Sequence, residues 1–186
     1  MEGETEQQSI PLLFRLSQGL SLQAAGIALW ACENNEGALH LARYLVKHQR
    51  TVMLMIDADS RNNKLLKDER LRRAGLDLAT QVSYVGEAQG RNELEELSTD
   101  EQWTVAANQH WPRPAPQTWS PDDFAAHRDG KRFSEGVFRM IRDQAQERSP
   151  SGKPDMLYSL TTTLQGAEDV PQQLREVFAQ LQQLAH

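Results

Sequence analysis

The apolar run Met53-Leu54-Met55-Ile56 ends in Asp57-Ala58-Asp59-Ser60, with two carboxylates two residues apart. On an extended chain residues i and i+2 point the same way. Both acids can therefore face one cation at the carboxyl end of a strand, as oxygen donors suited to Mg2+ or Mn2+. The same aspartates would also serve as turn formers or a helix cap at an ordinary strand-to-loop junction. A second acidic stretch, Glu2-Gly3-Glu4-Thr5-Glu6, puts Glu2 and Glu6 on one face of a helix that starts early enough. Acids in a first helical turn are equally favoured by the helix dipole alone, and an acidic N-terminus also reads as a solvated tail.

Other chemistries find little to build on. The histidines His40, His48, His110, His127 and His186 are scattered without His-Glu-x-x-His spacing, and no serine sits in a nucleophile elbow. The single cysteine, Cys32, rules out an internal disulfide framework and a multi-cysteine zinc site. A net charge of -6 argues against a free-standing, charge-driven nucleic-acid binder. A site holding divalent cations is locally acidic by construction, however, and the metals invert its field toward phosphate. No apolar run reaches the roughly 20 residues that span a bilayer. The first residues are acidic where a signal peptide is basic and then apolar, so a cytoplasmic protein is expected.

The elements that must position these residues follow from hydrophobic patterning. Residues 26–32 and 51–56 are short, nearly unbroken apolar runs, as in strands covered on both faces of a parallel sheet. Helical spacing predicts helices over 5–18, with Pro11 as a point of kinking, and over 36–48. A charged surface helix is predicted over 63–74, closed by Gly75, and a third strand over 80–85. This alternation implies an α/β fold: a parallel sheet flanked by helices, with ligands outside the carboxyl ends of the strands.

Beyond residue 98 the strand rhythm stops at Trp103, Trp111, Trp119 and a proline-rich loop. The tryptophans read as packing over the sheet or as a base-stacking platform. Ser120-Pro121 starts a helix, and further helices are predicted over 131–147, 154–165 and 171–185, with a loop over 149–153. The expected organisation is a catalytic α/β core over 1–98 and a helical C-terminal extension over 99–186 packed on it.

Taken together, Glu2-Gly3-Glu4-Thr5-Glu6 and, about fifty residues on, a strand ending Asp57-Ala58-Asp59 resemble the TOPRIM domains of the OLD (overcoming lysogenization defect) family of ATP-dependent endonucleases. The stretches Asn92-Glu93-Leu94-Glu95-Glu96-Leu97, Lys131-Arg132-Phe133-Ser134 and Ser151-Gly152-Lys153-Pro154-Asp155 look like the family's helical tail. The resemblance implies a TOPRIM-like fold whose first strand, expected ahead of Glu2, is missing.

It also implies that Glu2, Glu6, Asp57, Asp59 and Glu95 hold two Mg2+ or Mn2+ ions, with Glu2 and Lys153 as catalytic residues. The implied activity is metal-dependent DNA cleavage or nicking, in phage defence or DNA repair. The implied partners are DNA, an ATPase domain or subunit supplied elsewhere, since the chain carries no Gly-x-x-x-x-Gly-Lys-Ser/Thr loop, and a second copy in a homo-oligomer, with no membrane. The alternative is a catalytically inactive TOPRIM-like interaction module. A receiver-like domain would also set acids at strand ends, but it needs a lysine on a fifth strand, whereas Lys153 follows a long helical region.

Overall fold

A computed structural model describes residues 3–32, 34–58, 60, 64–87, 90–128 and 132–185. Helix α1 (Glu4–Gln18) passes through Pro11 without a break, and α2 (Asn35–Lys47) starts where the Asn34 side chain accepts the Gly37 N–H at 2.8 Å. Strand β1 (Leu54–Asp57) pairs in parallel with β2 (Val82–Val85), Leu54 opposite Val82 and Asp57 opposite Val85. Helix α3 (Asp68–Arg73) lies between them. A helical half follows: α4 (Asp100–His110), α5 (Pro121–Ala125), α6 (Phe133–Gln144), α7 (Lys153–Thr163) and α8 (Gln172–Ala185).

The fold is thus α/β and mostly helical, with a small parallel sheet. Alternation along β1 explains why both its faces are covered. Leu54 and Ile56 pack on Ala38 and Ala42 of α2 and on Leu66, Leu71 and Leu76. Met55 points the other way, into a cluster built from Ile10, Leu13 and Phe14 of α1, Leu157 of α7, and Leu174 and Phe178 of α8. The C-terminal helices therefore share a core with the first helix. A third cluster is drawn from the C-terminal half and is rich in aromatic rings, with Trp103, Trp111, Trp119, Phe124 and Phe133 buried. Among the described residues no helix is long and apolar enough to cross a membrane.

Several sequence expectations are corrected. The strand expected over 26–32 does not form, although Ile27 and Leu29 pack against the core. A strand needs a ladder neighbour, and a cavity of about 610 Å3 lies between this run and β1, lined by Ile10, Ile27, Leu29, Val52, Met53 and Leu181. The strand expected over 51–56 is four residues long and begins at Leu54. The helix expected over 63–74 is divided into a 3-10 turn (Lys64–Leu66) and α3, with Gly75 beyond them at φ 88°. Leu66 and Leu71 are both fully buried, and five residues of continuous helix would turn them about 140° apart. The break at Lys67 lets both reach one core.

Helix α4 has no counterpart among the expected elements. Its signal was the box Thr99-x-x-Gln102: Thr99 Oγ1 accepts the Gln102 N–H at 3.2 Å, and Gln102 Oε1 accepts the Thr99 N–H at 3.0 Å.

The two edges of the sheet differ. Along β2, the Gln173 side chain of α8 accepts the Gly86 N–H at 2.7 Å and donates to the Tyr84 carbonyl at 2.9 Å, mimicking a strand. Gln180 donates to the Thr80 carbonyl at 3.0 Å. The outer edge of β1 faces the cavity instead.

Candidate active site at the end of the first strand

Four elements deliver charged side chains to one region. Glu6 lies in the first turn of α1, is buried, and accepts the Gly3 N–H at 3.0 Å. Asp57 is the last residue of β1 and half-buried. Glu95 belongs to a 3-10 turn (Leu94–Leu97) and is 4% exposed. Lys153 was expected in a loop; it is instead the first residue of α7, with Gly152 as cap.

The turn carrying Glu95 is anchored from the helical half. Arg128 donates to the carbonyls of Glu96 (2.7 Å) and Ser98 (2.6 Å) and to Asp100 Oδ1 (2.8 Å), with its guanidinium 4.7 Å from the centre of the Phe133 ring. The Trp103 indole N–H reaches the Glu95 carbonyl at 3.3 Å. Within the turn, the Glu96 carboxylate accepts the Glu93 N–H at 3.0 Å and also the Asn92 N–H. The three later tryptophans are buried packing, but among the elements of the C-terminal half and not over the sheet as expected; of the three, Trp103 reaches the Glu95 turn.

One member of the cluster was missed as a site residue. Glu93 accepts the Lys153 ammonium on Oε1 at 2.7 Å and the Ser134 N–H, at the start of α6, on Oε2 at 2.8 Å. The alternation Glu93-Leu94-Glu95 repeats the i, i+2 spacing of Asp57 and Asp59 and could have marked it. Its partner, sixty residues away, could not be read from any local pattern.

Electrostatics tie these groups together. Burial pushes the Glu95 carboxyl up to about 7; its own backbone amide and Lys153 pull down, while Glu93 and Glu6 add to the rise. Burial also works against the charged form of Glu93, but the Lys153 ammonium and the Ser134 N–H outweigh it and hold Glu93 below the ordinary carboxylate range. For Lys153, burial pulls down and is outweighed by the hydrogen bond to Glu93 and by the charges of Glu95, Glu93 and Asp57, which hold the ammonium above its usual value.

Glu6, Asp57, Glu95 and Lys153 thus fall within one another's fields, directly or through a shared neighbour. Glu2 and Asp59 lie outside the described residues. Among the described residues no three acidic, histidine or cysteine side chains stand in an arrangement that could hold a metal ion. Comparison of the chain with protein-family models, with curated proteins and with solved structures finds no match.

Proposed function

We propose that this chain is the TOPRIM-type core of a divalent-metal-dependent DNA endonuclease or nickase, acting with an ATPase domain or subunit in phage defence or DNA repair. The observation that carries the reading is the shared electrostatic field of Glu6, Asp57, Glu95 and Lys153. These residues are spread over most of the sequence; the two acidic motifs were singled out by residue type and spacing, and Glu95 and Lys153 by the family resemblance.

The donor set is chemically apt for a hard cation. It is all carboxylate, and Glu95 is buried with its carboxyl against its own backbone N–H. Glu2, Glu6, Asp57, Asp59 and Glu95 would hold two Mg2+ or Mn2+ ions, which when bound supply an activated water and a stabilised leaving oxygen for phosphodiester hydrolysis. The Lys153 ammonium neutralises charge building on the phosphate, and α1, β1 and the Arg128-anchored turn fix the direction of the acids.

The test is Mg2+-dependent nicking of plasmid DNA by the complete assembly and by Asp57→Ala and Asp59→Ala. Cleavage should be abolished in both with the fold retained. Undiminished cleavage in both variants would sink the assignment. A chain that neither cleaves nor binds Mn2+ would be the inactive interaction module.

A further inference from the structure

We propose that the cavity beside β1 receives one β-strand of a partner polypeptide: an aliphatic segment, uncharged over about four residues, that runs parallel to β1 behind an acidic residue. The surface lies along the outer edge of the sheet and is independent of the metal-site reading above. Main-chain groups, dimensions and charge each carry it.

Successive residues of a strand turn their peptide groups to opposite sides. The Leu54 N–H reaches the Gln81 carbonyl at 2.7 Å on the β2 side, so the Met55 N–H and carbonyl point to the outer edge. Met55 is 6% exposed, and among the described residues nothing bonds to its main chain there. Buried main-chain groups are almost always paired, because leaving one bare costs about as much as a lost hydrogen bond. Across the cavity, the peptide groups of Ala28, Leu29 and Ala31 likewise make no main-chain hydrogen bond among the described residues. Exposure alternates along that run, with Ala28 and Trp30 exposed and Ile27 and Leu29 half-buried, which is the period of a strand.

The dimensions agree with one strand. β1 is four residues long. At a rise of about 3.3 Å, with about 4.8 Å between strands and about 10 Å between layers, a strand of that length takes up roughly 630 Å3. The cavity measures about 610 Å3, and Ile10 of α1, Leu41 and Leu45 of α2, and Leu181 and Leu184 of α8 line it. Helices α1 and α8 cover one face of the sheet and α2 the other, so a strand between them is apolar on both faces. Arg50, just ahead of β1, is the one charged side chain among the described residues of the lining, and it calls for an acid on the partner at that end. For a strand parallel to β1, as β2 is, that acid comes first. An aliphatic small molecule would match the walls but leave the Met55 N–H and carbonyl unpaired.

The experiment is calorimetric titration of the blocked peptide acetyl-Glu-Val-Ile-Val-Ile-amide into the full chain, with amide exchange of the protein followed by NMR. One peptide should bind per chain and slow exchange at Met55 at least about tenfold, leaving Leu54, already bonded to Gln81, unchanged. Methylating the two isoleucine amides of the peptide should weaken binding about tenfold, and so should Arg50→Glu at its exposed position. Absence of binding, or equal binding of the methylated peptide, overturns the proposal. So does protection of Met55 in the chain alone: if it is independent of concentration, the run over 26–32 has closed on β1, and if it is lost on dilution, a second copy is the occupant.

Discussion

The two halves of the molecule are built to different standards of closure. In the helical half, Trp103, Phe124, Phe133, Val137, Ile141 and Met156 are completely buried in one another's company. In the sheet half, two four-residue strands share their layer with a cavity, and Trp30 on the cavity wall is 61% exposed. The candidate site lies where they meet. The helical half supplies Lys153 and the anchors Arg128 and Ser134, while Glu6 and Asp57 come from the sheet half. The tighter packing lies on the side that carries the lysine and the Arg128 anchor of the Glu95 turn.

Equal truncations should expose this difference most visibly. Phe124→Ala in the closed cluster is expected to cost about 3–5 kcal/mol of stability, measured by urea unfolding. Leu29→Ala, on a wall already beside a void, should cost about 1 kcal/mol; similar losses would mean that the halves are equally well packed.

At the junction, burial raises Glu95 to about 7 from an ordinary 4.5. The folded state then holds its proton more tightly than the unfolded chain, so stability falls as pH rises from about 4.5 to about 7 and is lowest above that. Glu95→Gln should remove this dependence and raise stability at pH 8 by at most about 3 kcal/mol. Melting curves of the variant that still fall across that window would place the titration elsewhere.

Turnover gives the next effect. Lys153→Met is expected to lower the single-turnover rate of DNA cleavage by about 100-fold while leaving DNA affinity nearly unchanged, as for loss of a preorganised donor. A variant that loses only salt-sensitive binding would reduce Lys153 to a phosphate tether. The smallest of these effects belongs to the sheet edge. Gln173→Ala leaves the Gly86 N–H and the Tyr84 carbonyl without their partner and should cost about 1–2 kcal/mol, with faster amide exchange at Gly86.

What could be read from the sequence divides along physical lines. Helices α1, α2, α6, α7 and α8 carry their own apolar period and were visible, and α5 was visible from its Ser120-Pro121 start. The short β1 and β2 were visible as apolar runs, though overextended at their first residues. The run over 26–32 has strand composition but no ladder neighbour, and composition cannot report a neighbour. The split at Lys67 follows from the joint burial of Leu66 and Leu71, which depends on what packs against them.

Within the site, Asp57, Glu6, Glu95 and Lys153 were each nameable from motif and resemblance. The Glu93 to Lys153 bond, the Ser134 N–H and the Arg128 anchor join positions dozens of residues apart, and only the folded chain brings them together.

The glutamine caps on β2 also bear on how the protein behaves at high concentration. A two-stranded sheet with bare edges is a template on which other chains can stack into fibrils. Here Gln173 and Gln180 occupy the main-chain groups of one edge, and the run over 26–32 screens the other across the cavity. The capped edge is thereby closed to a further strand at the Tyr84 carbonyl and at its two ends. Neutral glutamine amides thus take the place of a neighbouring strand along that edge, donating and accepting as a peptide group would.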